Sequence, residues 1–155
     1  MPLASGDLRG YGDRMTLLPF HLAIPVDELA AARAFYGETL GCAEGRSSAQ
    51  WIDFDFFGHQ LGTHLCVPFP AGGPARGNAV DGHEVPVPHF GVVLTMADFD
   101  ALAARLAAAG VTFIHDPMLR FAGQPGEQAT MFLRDPAGNA LEFKAFTDDA
   151  MLFAR

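Results

Sequence analysis

The chain has 155 residues, with 10 Lys+Arg against 18 Asp+Glu, for a formal net charge of −8 at pH 7. Half of the residues are apolar, enough for one domain with a real core. The acid excess argues against a nucleic-acid partner, because phosphate affinity comes from clustered cations; here the one lysine is Lys144 and the arginines are scattered. No apolar run approaches the roughly 18 residues of a membrane span. The first residues carry Asp7, Arg9, Asp13 and Arg14 without the apolar stretch of a secretory signal. Cys42 and Cys66 form no C-x-x-C pair and read as free thiols of a reducing compartment. Composition therefore predicts a cytoplasmic protein without nucleic-acid or membrane partners.

Residues 1–16 lack periodicity and read as a loose arm. Residues 17–26 form a short apolar run, expected as a buried strand whose one ionisable side chain is His21. Asp27 reads as the cap of a helix carrying Leu29, Ala32, Phe35, Tyr36 and Leu40 on one face, closed by Gly41. Residues 51–56 alternate with period two, Gly58-His59-Gln60 makes a turn, and 61–67 is the next strand. Residues 68–88 hold five prolines and four glycines and read as a connector with little regular structure.

The pattern then repeats. Residues 87–94 are again an apolar strand with a histidine, His89, near its start. Asp98 reads as the cap of a helix with an apolar stripe of Phe99, Leu102, Leu106 and Ala109, ended by Gly110. Strands follow at 111–114, 129–134 and 140–146, the last two joined by a turn at 135–139. A repeat of 68 residues, from His21 to His89, is too long for a solenoid unit and suits two half-domains. Each half alone would leave one sheet face wet, so joining them either buries that face or encloses a cavity.

Three polar residues stand out against this apolar background. His21 and His89 occupy equivalent places in the two leading strands, and Glu142 is the lone carboxylate in the middle of the strand 140–146. A lone buried carboxylate is costly without a partner. Alternation puts Glu142 on the face shared with Ala140 and Lys144, opposite the core-filling Leu141 and Phe143. Two imidazoles and a carboxylate form the facial triad that leaves positions open on Fe(II); a further ligand suits Zn, Ni or Mn. His64, in the matching late strand of the first half, reads as a fourth ligand, a base beside the metal, or a packed residue. His59 in a turn, His83 in the connector and His115 before Asp116-Pro117 read as bystanders. No G-x-S-x-G elbow or phosphate-binding glycine loop is present, and Cys42 has no evident histidine partner. Arg120, Gln124 and Gln128, in and beside a Gly-rich loop, are candidate substrate contacts, with an ordinary solvated loop as the alternative.

The paired halves, the segment 20–26 followed by a helix with Phe35-Tyr36, and the closing segment 133–142 resemble the vicinal oxygen chelate superfamily. That group includes glyoxalase I, extradiol dioxygenases and the fosfomycin-resistance and bleomycin-binding proteins. The resemblance implies an α+β fold of two βαβββ modules, at 17–68 and 87–146 of a single domain 17–146, whose mixed sheets enclose a metal-binding cavity, with a tail at 147–155. It implies one divalent metal (Fe, Zn, Ni or Mn) held by His21, His64, His89 and Glu142, with Glu142 also moving a proton. It implies a small oxygenated substrate bound through adjacent oxygens, lyase, isomerase or dioxygenase chemistry, and a homodimer in which His21 of one chain meets His89 and Glu142 of the other. Departures narrow the choice. The only tyrosines are Tyr11 and Tyr36, so the second half lacks the tyrosine usual in catechol cleavers, and no glutathione-gripping signature is visible. The alternative is a drug-binding protein of the bleomycin-resistance type, without catalysis.

Overall fold

The computed structural model describes residues 17–67, 77–80 and 82–153. The expected N-terminal arm lies outside these residues. The first module runs β1 (His21–Val26), a short helix α1 (Leu29–Ala32) continued by a π-wound turn at Arg33–Thr39, then β2 (Ala43–Ser47), β3 (Trp51–Phe56) and β4 (His59–Leu65). A small hairpin follows, β5 (Asn78–Val80) and β6 (His83–Val85). The second module runs β7 (Val93–Leu94), α2 (Met96–Ala108), β8 (Phe113–Arg120), β9 (Gln128–Arg134) and β10 (Ala140–Phe146). Each module folds as a mixed four-stranded sheet, in the order β1-β4-β3-β2 and β7-β10-β9-β8, with the leading strand parallel to the last.

Several local expectations are corrected. Neither predicted aspartate caps its helix. Glu28 accepts from the Ala30 and Ala31 amides at 2.8 and 2.6 Å, because its longer side chain reaches back from an extended backbone. Thr95 caps α2, accepting from the Asp98 amide at 3.1 Å while donating to Asp98 Oδ2 at 2.7 Å. Thr95 is thus an ordinary N-cap whose hydroxyl is also fixed by the Asp98 carboxylate. The glycines expected to stop the helices do so with positive φ, 81° at Gly41 and 72° at Gly110. The connector is not wholly irregular, since β5 and β6 pair through it in register Val80↔His83. The second leading strand is shorter than expected: only Val93–Leu94 form β7, preceded by an isolated bridge from Phe90 to Leu141 of β10.

Alternation along the strands decides what each sheet buries. Ile24, Val26, Ile52, Phe54 and Leu61 from the first sheet, and Met131, Leu133, Leu141 and Phe143 from the second, enter one common core with Phe35, Tyr36, Leu102 and Leu106 from the helical segments. Phe56 bridges the modules, its ring centroid 6.2 Å from that of Phe143 and 5.7 Å from that of Phe90. The modules thus pack with their helix-bearing faces together, and their opposite, outer faces point away from this core. Buried side chains of both modules join in one hydrophobic cluster.

A buried polar knot ties the modules together. Tyr36 donates to Asp135 Oδ2 at 2.9 Å, Asn139 Nδ2 donates to the same oxygen at 2.8 Å, and also to the Pro25 carbonyl at 2.9 Å. Burial, with the Asp135 charge beside it, holds the Tyr36 hydroxyl well above its ordinary pKa, so it remains a donor. Tyr36→Phe removes one donor from a buried carboxylate and is expected to destabilise the fold by about 1–3 kcal/mol, read as a lower urea midpoint at unchanged slope. Cys42 is buried as well. Burial pushes its thiol up to about 11, so it is no nucleophile at neutral pH.

Candidate functional site

The outer face of the second sheet holds the most developed polar cluster among the described residues. Glu142, in the middle of β10, is 8% exposed. Its Oε2 lies 3.0 Å from His89 Nε2 and 3.5 Å from Lys144 Nζ, while Oε1 accepts from Thr130 Oγ1 at 2.7 Å. Thr130 and Phe132 share Glu142's face because β9 pairs antiparallel with β10 in register Glu142↔Phe132. His89 sits before β7, its ring edge-on to Phe132 with centroids 5.2 Å apart, and its Nδ1 lies 2.6 Å from the Pro86 carbonyl.

Backbone geometry makes this pairing possible. Gly91, two residues past His89, turns its side-chain direction onto the Glu142 carbonyl of β10, where a Cβ would collide with backbone. The Phe90 carbonyl accepts from the Glu142 amide at 2.8 Å, which draws the His89 segment onto β10. The electrostatics follow from the contact. The hydrogen bond to Glu142 raises the His89 pKa against the opposing effect of burial. Burial by itself would push Glu142 up, but the His89 bond, the Lys144 charge and the Thr130 bond outweigh it, and its pKa is lowered.

His21 and His64 are elsewhere. Both lie exposed on the outer face of the first sheet, at opposite ends of the β1–β4 pair, in register His21↔Gln60 and Pro25↔His64. The common core separates them from His89 and Glu142, and among the described residues no three His, Cys, Asp or Glu side chains converge into a metal-ready group. Ladder register also exposes a difference between the halves. Ala23 pairs with Gly62, whereas the step on from Phe90↔Leu141 sets Gly91 beside Glu142. Gly62 therefore holds the place in the first half that Glu142 holds in the second. The space left by its missing side chain is approached by His64 Nε2, 3.3 Å from where a Cβ would stand, and by Asp53 Oδ1 at 3.4 Å. Gln60 Nε2 donates to Asp53 Oδ2 at 3.2 Å, completing a polar patch on this face.

The three predicted substrate contacts separate. Arg120 ends β8 buried, and Gln128 begins β9 directly across from it. Gln124 is exposed in the loop beyond and takes part in the turn, its carbonyl accepting from the Glu127 amide at 3.1 Å. Thr130 is missed by the sequence reading, Lys144 is placed on Glu142's face without a role, and His115 reads as a bystander. The last packs on Phe132 with ring centroids 5.5 Å apart and places Nε2 2.6 Å from the Glu84 carbonyl of β6. Alternation from Glu142 reaches Lys144, but only strand pairing could bring in Thr130 and His115.

The ligand chemistry of His89 and Glu142 suits a divalent cation. With Nδ1–H engaged on Pro86, the Nε2 lone pair faces the carboxylate, an arrangement that calls for a positive charge between them. The hydrogen bond to Glu142 favours a proton on His89, and a metal would displace that proton on binding. The outer supports, a backbone carbonyl on the imidazole and a hydroxyl on the carboxylate, are those that orient metal ligands.

A family model described as the Glyoxalase/Bleomycin resistance protein/Dioxygenase superfamily matches residues 19–143. The chain belongs to this superfamily. Among solved structures, a glyoxalase/bleomycin resistance protein/dioxygenase from Alicyclobacillus acidocaldarius is 38% identical, with 87% of this chain and 96% of that one covered, at a TM-score of 0.71. A lactoylglutathione lyase from Agrobacterium tumefaciens (21% identity, 92% and 100% covered, TM-score 0.63) shares the fold. So does a glyoxalase/dioxygenase from Nostoc punctiforme (18%, 88% and 100%, TM-score 0.63). No curated protein matches the chain. Among the described residues no helix is long and apolar enough to cross a membrane.

Proposed function

We propose that this superfamily member is a metal-dependent enzyme of the glyoxalase/dioxygenase type, acting on a small organic compound that chelates one divalent ion (Fe, Zn, Ni or Mn) through two adjacent oxygens. The observation that carries the reading is the His89–Glu142 pair at 3.0 Å, each member fixed by a second hydrogen bond. The site is completed by a second copy of the chain. Because the outer faces of one chain point apart, His21 of one protomer and His89 with Glu142 of its partner are the residues that would hold the ion. His64 leans over Gly62, the counterpart of Glu142, and serves as the fourth ligand or as a base facing the substrate. The bound ion would act as a Lewis acid, stabilising negative charge that develops on the chelated oxygens. Glu142 is the catalytic group, able to hold a proton at Oε2 while Thr130 keeps Oε1 in place. Lys144 partly neutralises this carboxylate and favours an anionic substrate.

The second reading is a small-molecule-binding protein without catalysis. One observation favours it: Lys144 and His89 already satisfy Glu142 without an ion. Elemental analysis of anaerobically purified protein beside His89→Ala separates the two. About one transition metal per chain, lost in the variant, is the expected result; absence of metal from both, even after reconstitution, would leave the binding reading.

A further inference from the structure

The metal set leaves unexplained the far end of the outer face of the second sheet. Arg120 is 4% exposed, and its register partner is Gln128, which shares a face with Thr130. One arm of the guanidinium donates to the Val80 carbonyl in β5. Yet Nε is enclosed without a hydrogen-bond partner, and so is Gln128 Oε1. Among the described residues no carboxylate forms an ion pair with Arg120. Buried donors and acceptors are nearly always paired, so an unused donor beside an unused acceptor needs a reason. Their place supplies one. Gln128 lies one same-face step, about 7 Å along β9, from the Thr130 that holds Glu142. Lys144 pairs with Thr130 across the neighbouring ladder. Cationic groups thus run from the proposed metal ligands toward Arg120.

We propose that Arg120 Nε and Gln128 form a subsite for the substrate's carboxylate, so that the compound chelated at Glu142 is a small organic acid. This rests on the chelation reading and names its substrate class. Arg120 Nε donates to a carboxylate oxygen, the charge-assisted contact for which a guanidinium is suited. Gln128 Oε1 accepts from a hydroxyl on the adjacent carbon. The Val80 carbonyl holds another arm of the guanidinium, leaving Nε for the acid.

The test uses mandelate, which carries a carboxylate and adjacent hydroxyl, and mandelamide, its uncharged counterpart, titrated into chelator-treated full-length protein. The signal is the Arg120 side-chain Nε–H in ¹H–¹⁵N spectra, assigned by its loss in Arg120→Gln. Mandelate is expected to shift that signal and to bind roughly tenfold or more tightly than mandelamide, the worth of a hydrogen bond to a charged group. Arg120→Gln is expected to erase the preference, and Gln128→Leu to weaken mandelate binding while the Nε–H shift persists. Equal binding of the two probes, an unmoved Nε–H at saturating mandelate, or a preference that survives Arg120→Gln would overturn the subsite. Should Arg120→Gln fail to fold, the wild-type spectra and Gln128→Leu still decide. Because no metal is present, the two readings fail separately. A protein that never takes up metal but selects mandelate sinks the chelation reading alone, whereas one metal per chain with no charge preference sinks only the subsite.

Discussion

Mixing His21→Ala protein with Glu142→Ala protein is expected to restore metal that neither variant holds alone. In a two-fold dimer with sites built across the interface, a mixed dimer carries one doubly broken site and one intact site. After random exchange of subunits, about a quarter of the wild-type metal content should return. The expectation follows from the packing of the two sheets. Both bury their helix-bearing faces in the same core, so the outer faces that carry His21 and Glu142 point away from each other within one chain. A site contained in one chain would recover nothing on mixing, because every chain would lack one ligand. Verified subunit exchange without recovered metal would therefore refute the shared site. Dilution gives a second check, since metal affinity should fall together with dimerisation.

Gly91→Ala is expected to cost roughly 3 kcal/mol or more, well beyond an ordinary surface glycine substitution. The Cβ would be driven into the Glu142 carbonyl, and a backbone atom inside a ladder cannot swing aside as a side-chain tip can. Relief would require lifting the 89–92 segment off β10, which breaks the bond between the Phe90 carbonyl and the Glu142 amide. The same movement would withdraw His89 from Glu142, so metal binding should fall along with stability. Gly45→Ala serves as the control, because its Cβ would meet Asp53 at ordinary distances, 3.5 Å from the carbonyl oxygen and 3.6 Å from its Cβ. Urea midpoints of the two variants measured side by side check the expectation; equal midpoints would show that the 89–92 segment yields easily.

Much of this architecture is legible in the residue order. The recurrence of His21 and His89 ahead of matching helices marks two modules, because helical and strand periodicities each depend on which residues are near neighbours in the chain. Gly41 and Gly110 announce the helix stops for the same local reason. Glu142 is conspicuous because a lone carboxylate in an apolar strand demands a partner, and the structure supplies His89, Lys144 and Thr130. What escaped the sequence depends on contacts between distant segments. The Glu28 and Thr95 caps turn on side-chain reach and backbone angle, so nearby aspartates looked equally suitable. Gly62 as the counterpart of Glu142 emerges only from ladder register, since 39 positions separate His21 from its partner Gln60. That His89 meets Glu142 while His21 and His64 remain apart was likewise decided by tertiary structure. Residue types and their spacing determine which face of each sheet is apolar, but the direction in which two apolar faces meet depends on how the modules pack, and that packing sets where the histidines end up.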